Sequence, residues 1–576
     1  MLHTVDYAII LIFFVGLLAV GYYLGKHIAT SKDMFIAGRN SSWWLSGLST
    51  YMTLFSASTF VVWGGVAYRS GLVAAFLGMM LGVGSFAVGR WISGIWSRMK
   101  IDSPAEYLTI RFGRHTLNFY SIVLIFGRGV HTAVSLYAIG IMVVALMPLP
   151  EGHMLADPAT GHLSVTWAII VMGIITLVYT AMGGYLAVLM TDVVQFAILF
   201  AMILILVPLS IHAVGGLGQF VGQMPAGHFR LFNEQYTWQW LILWCLLNAF
   251  TIGGDWPFVQ RYISVPNARE ARKSSYLVGI LYILTPILWY TPAMAYRIID
   301  PAANPEQAYM LISERVLGPG LLGFMVAAMI SATLSMVSGT LNVFANVFTN
   351  DLYAPRHKDA TERQKIRVGK LFTYLYGAAL TVIAALIPYM GGAEKVVVTI
   401  LVIVIMPIFI PSIWGLFSRH MTARDIFISM GITYVAALLV KFRVVCADWV
   451  GSHAETADAI VGCLLPILIL IVLEWVNRRR ATANGYTVVQ QLIAKEDGAA
   501  ADQGGTAADQ DSAARKAGAA YSSMAIRIMM GTYLAIGLIS IGLSFVFAAT
   551  GRLLLTVGLV MSVVALVVLL LKARKR

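Results

Sequence analysis

Long apolar runs with almost no charged residues recur from one end of this 576-residue chain to the other. As a helix, each run needs only about 20 residues to cross the hydrocarbon core of a bilayer. Hydropathy gives about fifteen such runs along the chain. They are long blocks rather than short alternating stretches, which favours helices over a membrane barrel. The sequence therefore predicts an all-α polytopic protein embedded in a lipid bilayer.

The composition excludes several other classes of protein. Only 12% of the residues are charged and 59% are hydrophobic, whereas about a quarter of a soluble domain is charged. The net charge of +13 comes from Lys and Arg in short loops between the runs, where such residues set membrane orientation rather than bind nucleic acid. No HExxH, GxSxG or paired-carboxylate motif occurs, so the sequence does not predict an enzyme.

The basic loops fall on one side when the runs are threaded alternately across the membrane. Among them are the loops 98–114, 269–273 and 356–370. Lys and Arg concentrate on the cytoplasmic side of membrane proteins. We therefore expect a multi-pass protein of the cell membrane, with its amino terminus outside and its carboxyl terminus in the cytoplasm.

Two of the predicted helices contain residues that interrupt helical hydrogen bonding. The helix 43–68 has a dense run of small hydroxyl residues between positions 49 and 59, which compete for backbone hydrogen bonds. The helix 238–258 contains the sequence Gly-Gly-Asp-Trp-Pro from Gly253, where glycine flexibility and a missing amide favour a break. The second lies five helices after the first, so the two run in opposite directions, as an inverted repeat requires. Paired breaks predict a carrier rather than a channel, and two ordinary kinked helices are the alternative.

Ionisable side chains at membrane depth are costly and are therefore functional candidates. Asp192 could attract a cation or pair with a nearby Lys or Arg. Asp255 could bind a cationic group or a proton, or cap a helix end. Arg128 and His131, one turn apart, could receive a carboxylate or carry a proton. Pairing of Arg128 with Asp192 or Asp255 is the alternative that we favour. Further substrate or gating candidates are Ser56, Thr59 and Tyr290.

Several motifs resemble those of the sodium:solute symporter family. They are FIAGRNSSWWL at 35–45, GGYLAVLMTDVVQ at 183–195, Val-Gln-Arg at 259–261 and the segment 331–353. The strongest is the block at 183–195, and the resemblance extends over residues 5–477. It implies a leucine-transporter-like fold with two inverted repeats of five helices. It also implies alternating access driven by a sodium gradient.

With this resemblance the chain divides into six predicted parts. They are a leading helix and cytoplasmic loop (1–42), two inverted repeats (43–213 and 238–419), a peripheral helix pair (424–477), a disordered cytoplasmic linker (478–523) and a carboxyl-terminal helix pair (524–576). The linker is rich in Ala, Gly, Asp and Gln, which bury too little apolar surface to offset the entropy of ordering. An amphipathic turn at 486–493 is the alternative for part of it.

The resemblance also implies a sodium site between the first core helix and the eighth. By position this site comprises Met52, Phe55, Ala328, Ser331 and Ala332. The first three supply carbonyls and Ser331 a hydroxyl, as suits a hard cation that prefers oxygen. However, Ala332 stands where the family has a second hydroxyl, so water, Thr333 or Ser335 would have to supply the missing oxygen.

The sequence thus predicts a secondary transporter for a small polar organic solute, with Na⁺ as the coupling ion. A sugar is disfavoured because Leu54, Thr59 and Gly78 stand where sugar carriers of the family have Asn, Gln and Glu. The predicted partners are the solute and the lipid bilayer, and homo-oligomerisation is left open. The alternatives are a proton-coupled or weakly coupled carrier of the same fold, or a transporter-like sensor acting through a separate signalling partner.

Overall fold

The computed structural model describes residues 2–25, 35–147, 149, 152–157, 161–390, 396, 404–442, 454–502, 507–545 and 551–573. Of the predicted leading segment, residues 26–34 lie outside this part. The described chain consists of helices and loops, with one isolated antiparallel bridge between Ala156 and Leu163. The all-α prediction is confirmed.

The α-helices of the described part follow one another without intervening sheet. In chain order they are Thr4–Gly25, Trp43–Leu54, Gly64–Ser70, Leu72–Trp91, Ser93–Arg98, Pro104–Phe112, Arg114–Leu146, Val165–Ala213, Leu217–Gln223, Trp238–Gly254, Trp256–Ile263, Ala268–Leu284, Pro286–Ile299, Ala308–Val316, Leu321–Asn346, Glu362–Leu386, Met406–Phe417, Ala423–Lys441, Ala454–Ala459, Leu465–Asn477, Asn484–Asp502, Ala507–Ser544 and Gly551–Ala573. Wider π turns cover Thr59–Trp63, Val347–Tyr353 and Ile460–Leu464.

Ten helices of the described part are long and apolar enough to cross a membrane, and up to twelve spans result if each of two bent helix pairs counts as one. Three shorter apolar helices are Thr4–Gly16, Val165–Val178 and Met406–Phe417. The predicted total of about fifteen is therefore not confirmed. The chain is a multi-pass membrane protein by these spans.

The two bent pairs coincide with the two predicted breaks. The first broken span consists of Trp43–Leu54 and Thr59–Ser70, whose axes meet at 63°. The second broken span consists of Trp238–Gly254 and Trp256–Ile263, whose axes meet at 54°. An ordinary gently curved helix does not bend this sharply, so each span is interrupted rather than merely curved.

The helix Leu321–Asn346, hereafter the central helix, lies in the middle of the bundle. All of its residues except Phe324 are buried, and it packs against Val165–Ala213, Arg114–Leu146 and Thr4–Gly25. Many of its residues are Gly, Ala or Ser, which let membrane helices approach closely. At its amino end, the Asp6 carboxylate accepts hydrogen bonds from the amides of Gly320 and Gly323, both at 2.7 Å. The leading helix is thereby fixed to the start of the central helix.

Part of the predicted disordered linker is a helix, Asn484–Asp502, hereafter the docking helix. It packs on Pro104–Phe112, and Val489 and Ile493 are buried. Nζ of Lys100 lies 2.9 Å from the Glu496 carboxylate. The prediction of disorder is therefore wrong for this stretch. The average composition of the stretch does not show that Val489 and Ile493 are one turn apart and share a helix face. That apolar face packs the helix against Pro104–Phe112.

Candidate functional site

The first break is held open by side-chain hydroxyls. Phe55 has an extended backbone (φ −99°, ψ 131°). After it, the amide of Ser56 donates to Oγ1 of Thr59 at 3.3 Å. The amide of Ala57 donates to Oγ1 of Thr333 on the central helix at 2.7 Å. These amides lack a helical partner, and a bare amide inside a membrane would cost several kcal/mol by order of magnitude. The hydroxyl-rich sequence therefore interrupts the helix, and one of its own hydroxyls together with a hydroxyl of the central helix satisfies the two amides.

The second break is made by close packing and by an extended residue. Asp255 has φ −71° and ψ 129°, and Pro257 follows at the start of the next helix. A Cβ on Gly254 would lie 2.8 Å from Cδ1 of Ile413, so a larger residue would require the Ile413 side chain to shift. The carbonyl of Gly253 accepts a hydrogen bond from the Trp96 indole at 2.9 Å. The local sequence and its neighbours together fix this interruption.

Both breaks border one cavity of about 100 Å³. The first broken span contributes hydroxyl residues, the second contributes amide and hydroxyl residues, and the helix Arg114–Leu146 contributes two basic residues. The polar lining is Thr53, Ser56, Ser58, Thr59, Arg128, His131, Asn248 and Thr251. A neighbouring cavity of about 50 Å³ shares Thr59, Trp63 and Trp244 with the first and adds Tyr290. The predicted candidates Ser56, Thr59, Arg128, His131 and Tyr290 therefore meet around these two cavities.

Arg128 pairs with the carboxylate at the second break. Nη2 of Arg128 lies 3.0 Å from Oδ2 of Asp255, and the two side chains are 3% and 1% exposed. Nη1 of Arg128 lies 3.2 Å from Nδ1 of His131. The favoured alternative, in which Arg128 pairs with an acidic residue, is thus what the structure contains. Asp255 neutralises a cavity-lining arginine instead of standing as an isolated carboxylate at the break.

Asp192, in the helix Val165–Ala213, forms a second buried cluster that joins this helix to three other helical elements. Its carboxylate accepts hydrogen bonds from Oγ of Ser49 in the first broken span at 2.5 Å and from Oγ of Ser335 in the central helix at 2.6 Å. Nη2 of Arg261, in the second broken span, lies 3.9 Å from its Oδ2. We call Ser49, Asp192, Ser335 and Arg261 the Asp192 cluster. The sequence had marked Arg261 only as part of a motif, although an arginine within an apolar stretch is itself a signal.

The residues of the expected sodium site lie on two elements. Met52 and Phe55 are fully buried at the first break, and Ala328, Ser331 and Ala332 are fully buried on the central helix. Oγ of Ser331 has no hydrogen-bond partner within the described residues. One turn further along the same helix, Thr333 and Ser335 make the contacts already described with the first break and with Asp192. This ligand set stays a prediction.

The described residues contain no group of three or more His, Cys, Asp or Glu side chains that could hold a metal ion together. A larger cleft of about 450 Å³ is lined by Ser103, Glu106 and Asp351, among others, and by no residue of either break. Near the breaks the described residues offer a cation backbone carbonyls, hydroxyls and the carboxylates of Asp192 and Asp255. That is an oxygen donor set suited to a hard ion such as Na⁺.

Comparisons with known proteins agree with this architecture. The model of the sodium:solute symporter family matches residues 34–432. The sodium/sialic acid symporter NanT of Aliivibrio fischeri is 26% identical over 68% of this chain and 78% of its own length. The sodium/glucose cotransporter of Vibrio parahaemolyticus is 24% identical over 77% of this chain and 86% of its own length. The sodium-coupled monocarboxylate transporter 1 of Mus musculus is 26% identical over 79% and 75%, respectively.

Among solved structures, a Na⁺-coupled sialic acid symporter in a substrate-bound outward-open state matches with a TM-score of 0.67. The match covers 81% of this chain and 98% of that one at 22% sequence identity. At this identity the likeness concerns the fold alone. It supports the leucine-transporter-like fold that the sequence predicts.

Proposed function

Because this chain belongs to the sodium:solute symporter family, we propose that it carries a small polar organic solute across the membrane by sodium-coupled symport. The observation that carries this proposal is the cavity of about 100 Å³ that the two interrupted spans border together. Interrupted helices expose backbone groups and polar side chains at membrane depth, and secondary transporters bind their cargo at such breaks. Family membership supports Na⁺ as the coupling ion and a transport role rather than an enzymatic one.

The solute class follows from the cavity lining. Hydroxyl, amide, imidazole and guanidinium groups border the larger cavity, while Trp63 and Trp244 border both cavities. A small organic molecule with hydrogen-bonding groups on one side suits this mixture of polar and aromatic walls. The relatives named above carry different solutes, and at about a quarter identity their substrates do not transfer to this chain. The amino terminus outside and the carboxyl terminus in the cytoplasm remain our proposed orientation.

For the ion, we propose the oxygens of Ser49, Asp192 and Ser335 as the principal ligands. All three side chains are fully buried, and Ser49 and Ser335 come from two elements that meet at Asp192. A carboxylate with two hydroxyl oxygens fits a monovalent hard cation. The set implied by the resemblance, Met52, Phe55, Ala328, Ser331 and Ala332, is the alternative. Ser335 is the residue that would supply the oxygen missing at Ala332.

The central test measures accumulation of solutes from a metabolite panel in proteoliposomes, with an imposed Na⁺ gradient, without it, and with a proton gradient instead. Sodium-coupled symport predicts saturable accumulation that requires the Na⁺ gradient. Accumulation driven only by protons would reverse the assignment of the coupling ion. Flux that equilibrates every panel member without saturation would identify a channel.

The ion ligands are tested by Na⁺ titration of thermal unfolding, with choline replacing Na⁺. Loss of an oxygen ligand to a charged group costs about 1.5–3 kcal/mol, so Ser335→Ala is expected to raise the half-maximal Na⁺ concentration roughly 10- to 100-fold. Ser338→Ala is the matched control, because within the described part of the chain that hydroxyl donates to the Ser335 carbonyl of its own helix and does not contact Asp192. A shift in Ser331→Ala but not in Ser335→Ala would favour the alternative ligand set.

A further inference from the structure

The guanidinium of Arg261 is a fully enclosed charge near the breaks. The residue is fully buried and lies in Trp256–Ile263, the short helix after the second break. Its Nε donates to Oγ of Ser49 at 3.0 Å, and its Nη1 donates to the Pro257 carbonyl at 2.6 Å. Nη2 lies 3.9 Å from Asp192 and has no hydrogen-bond partner within the described residues. One edge of the guanidinium is therefore loosely held and faces the carboxylate.

Arg261 uses the same oxygens that a bound Na⁺ would need. The Ser49 hydroxyl donates its single proton to Asp192, so only its lone pairs are left to bind a cation. Nε of Arg261 already uses this oxygen. The guanidinium also provides the positive charge opposite Asp192. Ser49 and Asp192 can thus interact closely with Arg261 or with a bound cation, but an interaction with one weakens the interaction with the other.

The charge balance leads to the same conclusion. With Arg261 in place, the Asp192 cluster contains one positive and one negative charge and is neutral. A Na⁺ added without any rearrangement would leave an uncompensated positive charge in a dry interior, next to a like charge. Burial of such a charge is strongly unfavourable. Binding of Na⁺ is therefore more favourable when the guanidinium moves away from Ser49 and Asp192, because the two positive charges are then farther apart.

We propose that Arg261 is an internal competitor of Na⁺: it occupies Ser49 and Asp192 when Na⁺ is absent, and Na⁺ binding displaces it. This inference rests on the cation position in the proposed function. Arg261 acts as a positioning residue between the two broken spans. One contact between them is a hydrogen bond to its backbone: Oγ of Ser46 donates to the Arg261 carbonyl at 2.9 Å. Displacement of the guanidinium removes a second contact between the two broken spans, the hydrogen bond from Nε of Arg261 to Oγ of Ser49. Arrival of the ion is thereby linked to movement of Trp256–Ile263.

The proposal predicts that removal of the competitor tightens Na⁺ binding. A ligand whose site is open in only a fraction of molecules binds more weakly in proportion to that fraction. In the full-length protein, Arg261→Gln is therefore expected to lower the half-maximal Na⁺ concentration in thermal unfolding by about 3- to 10-fold. Arg261→Lys retains a cation and is expected to stay closer to the wild type. The baseline unfolding temperature falls in Arg261→Gln, because Asp192 loses its counter-charge.

Two further variants separate competition from a purely structural role. A Cβ on Gly339 would lie 2.9 Å from Nη2 of Arg261, so Gly339→Ala presses on the guanidinium without removing its charge. It is expected to lower the Na⁺ midpoint by about 2- to 5-fold. Arg111→Gln is the control, because Arg111 is also buried but donates to the carbonyls of Gly415 and Ser418. This control changes the baseline temperature and leaves the Na⁺ midpoint unchanged.

Each outcome has a distinct meaning. A Na⁺ midpoint in Arg261→Gln that is unchanged or raised, with a normal Na⁺ response in the wild type, overturns the competitor role. If Arg261→Gln does not fold, Gly339→Ala decides by the same criterion. A wild type without any specific response to Na⁺ contradicts the proposed function itself. The two failures are therefore distinguishable.

Discussion

The ion pair between Arg128 and Asp255 allows the cost of a buried charge at a helix break to be measured. The two groups are 3.0 Å apart and almost fully enclosed. Removal of one partner from a buried pair leaves the other charge uncompensated and typically costs 3–5 kcal/mol. We therefore expect Arg128→Met and Asp255→Asn each to lower the free energy of unfolding by about 3–5 kcal/mol.

The double variant gives the sharper result. Once both charges are gone, no uncompensated charge is left, so most of the lost stability is expected to return. The coupling energy in the double-mutant cycle should be about 2 kcal/mol or more. Equilibrium unfolding in mixed micelles measures all four proteins. Uptake is not expected to recover in the double variant, since Arg128 also borders the cavity.

A matched control is provided by Lys273 and Glu270, which are 2.9 Å apart but 41% and 22% exposed. Exposed pairs contribute only about 0–1 kcal/mol, so Lys273→Met should barely change stability. The distance is nearly the same in the two pairs, and the burial differs. Equal losses at the two sites, or a double variant that loses the full sum of the single losses, would refute this account of the Arg128 pair.

Two further predictions concern parts of the chain away from the cavity. Asp6→Ala removes the acceptor for the amides of Gly320 and Gly323. It should lower the free energy of unfolding by about 1–2 kcal/mol, measured by thermal unfolding with His3→Ala as the control. Unchanged stability would exclude an anchoring role for Asp6. A Cβ on Gly485 would lie 2.2 Å from the Arg111 carbonyl oxygen, so Gly485→Ala should displace the docking helix and speed tryptic cleavage after Lys495. Gly431→Ala, where nothing lies within 4 Å, is the control, and equal cleavage rates would contradict the packing argument.

The breaks could be predicted from the sequence because their causes are local. Hydroxyl residues compete with the backbone within one or two turns, and a Gly-Gly-Asp-Trp-Pro sequence weakens the helix at the same residues. Neither effect requires knowledge of a distant partner. Phe55 and Asp255 accordingly adopt extended conformations where the sequence predicts interruption.

Contacts between distant segments were harder to predict. The sequence left Arg128 with two acidic candidates, and only the fold, which brings its Nη2 within 3.0 Å of Oδ2 of Asp255, selects between them. Ser331 and Ser335 are four residues apart and share a helix face, so periodicity cannot tell which of them meets Asp192. For the docking helix the disordered linker was favoured over the amphipathic turn at 486–493, because its ordering depends on Val489, Ile493 and the surface that receives them rather than on average composition.

The short helix Trp256–Ile263 is the element best suited to respond to cargo. Apolar packing alone does not fix a helix firmly within a membrane, because lipid is as apolar as the neighbouring helices. Its position therefore depends strongly on polar contacts, and these lie at both of its ends. Asp255 pairs with Arg128 before the helix, and Arg261 faces Asp192 near its end. If Na⁺ displaces Arg261 as proposed, the contact near the carboxyl end is lost, and the position of this helix is then expected to depend on the ion.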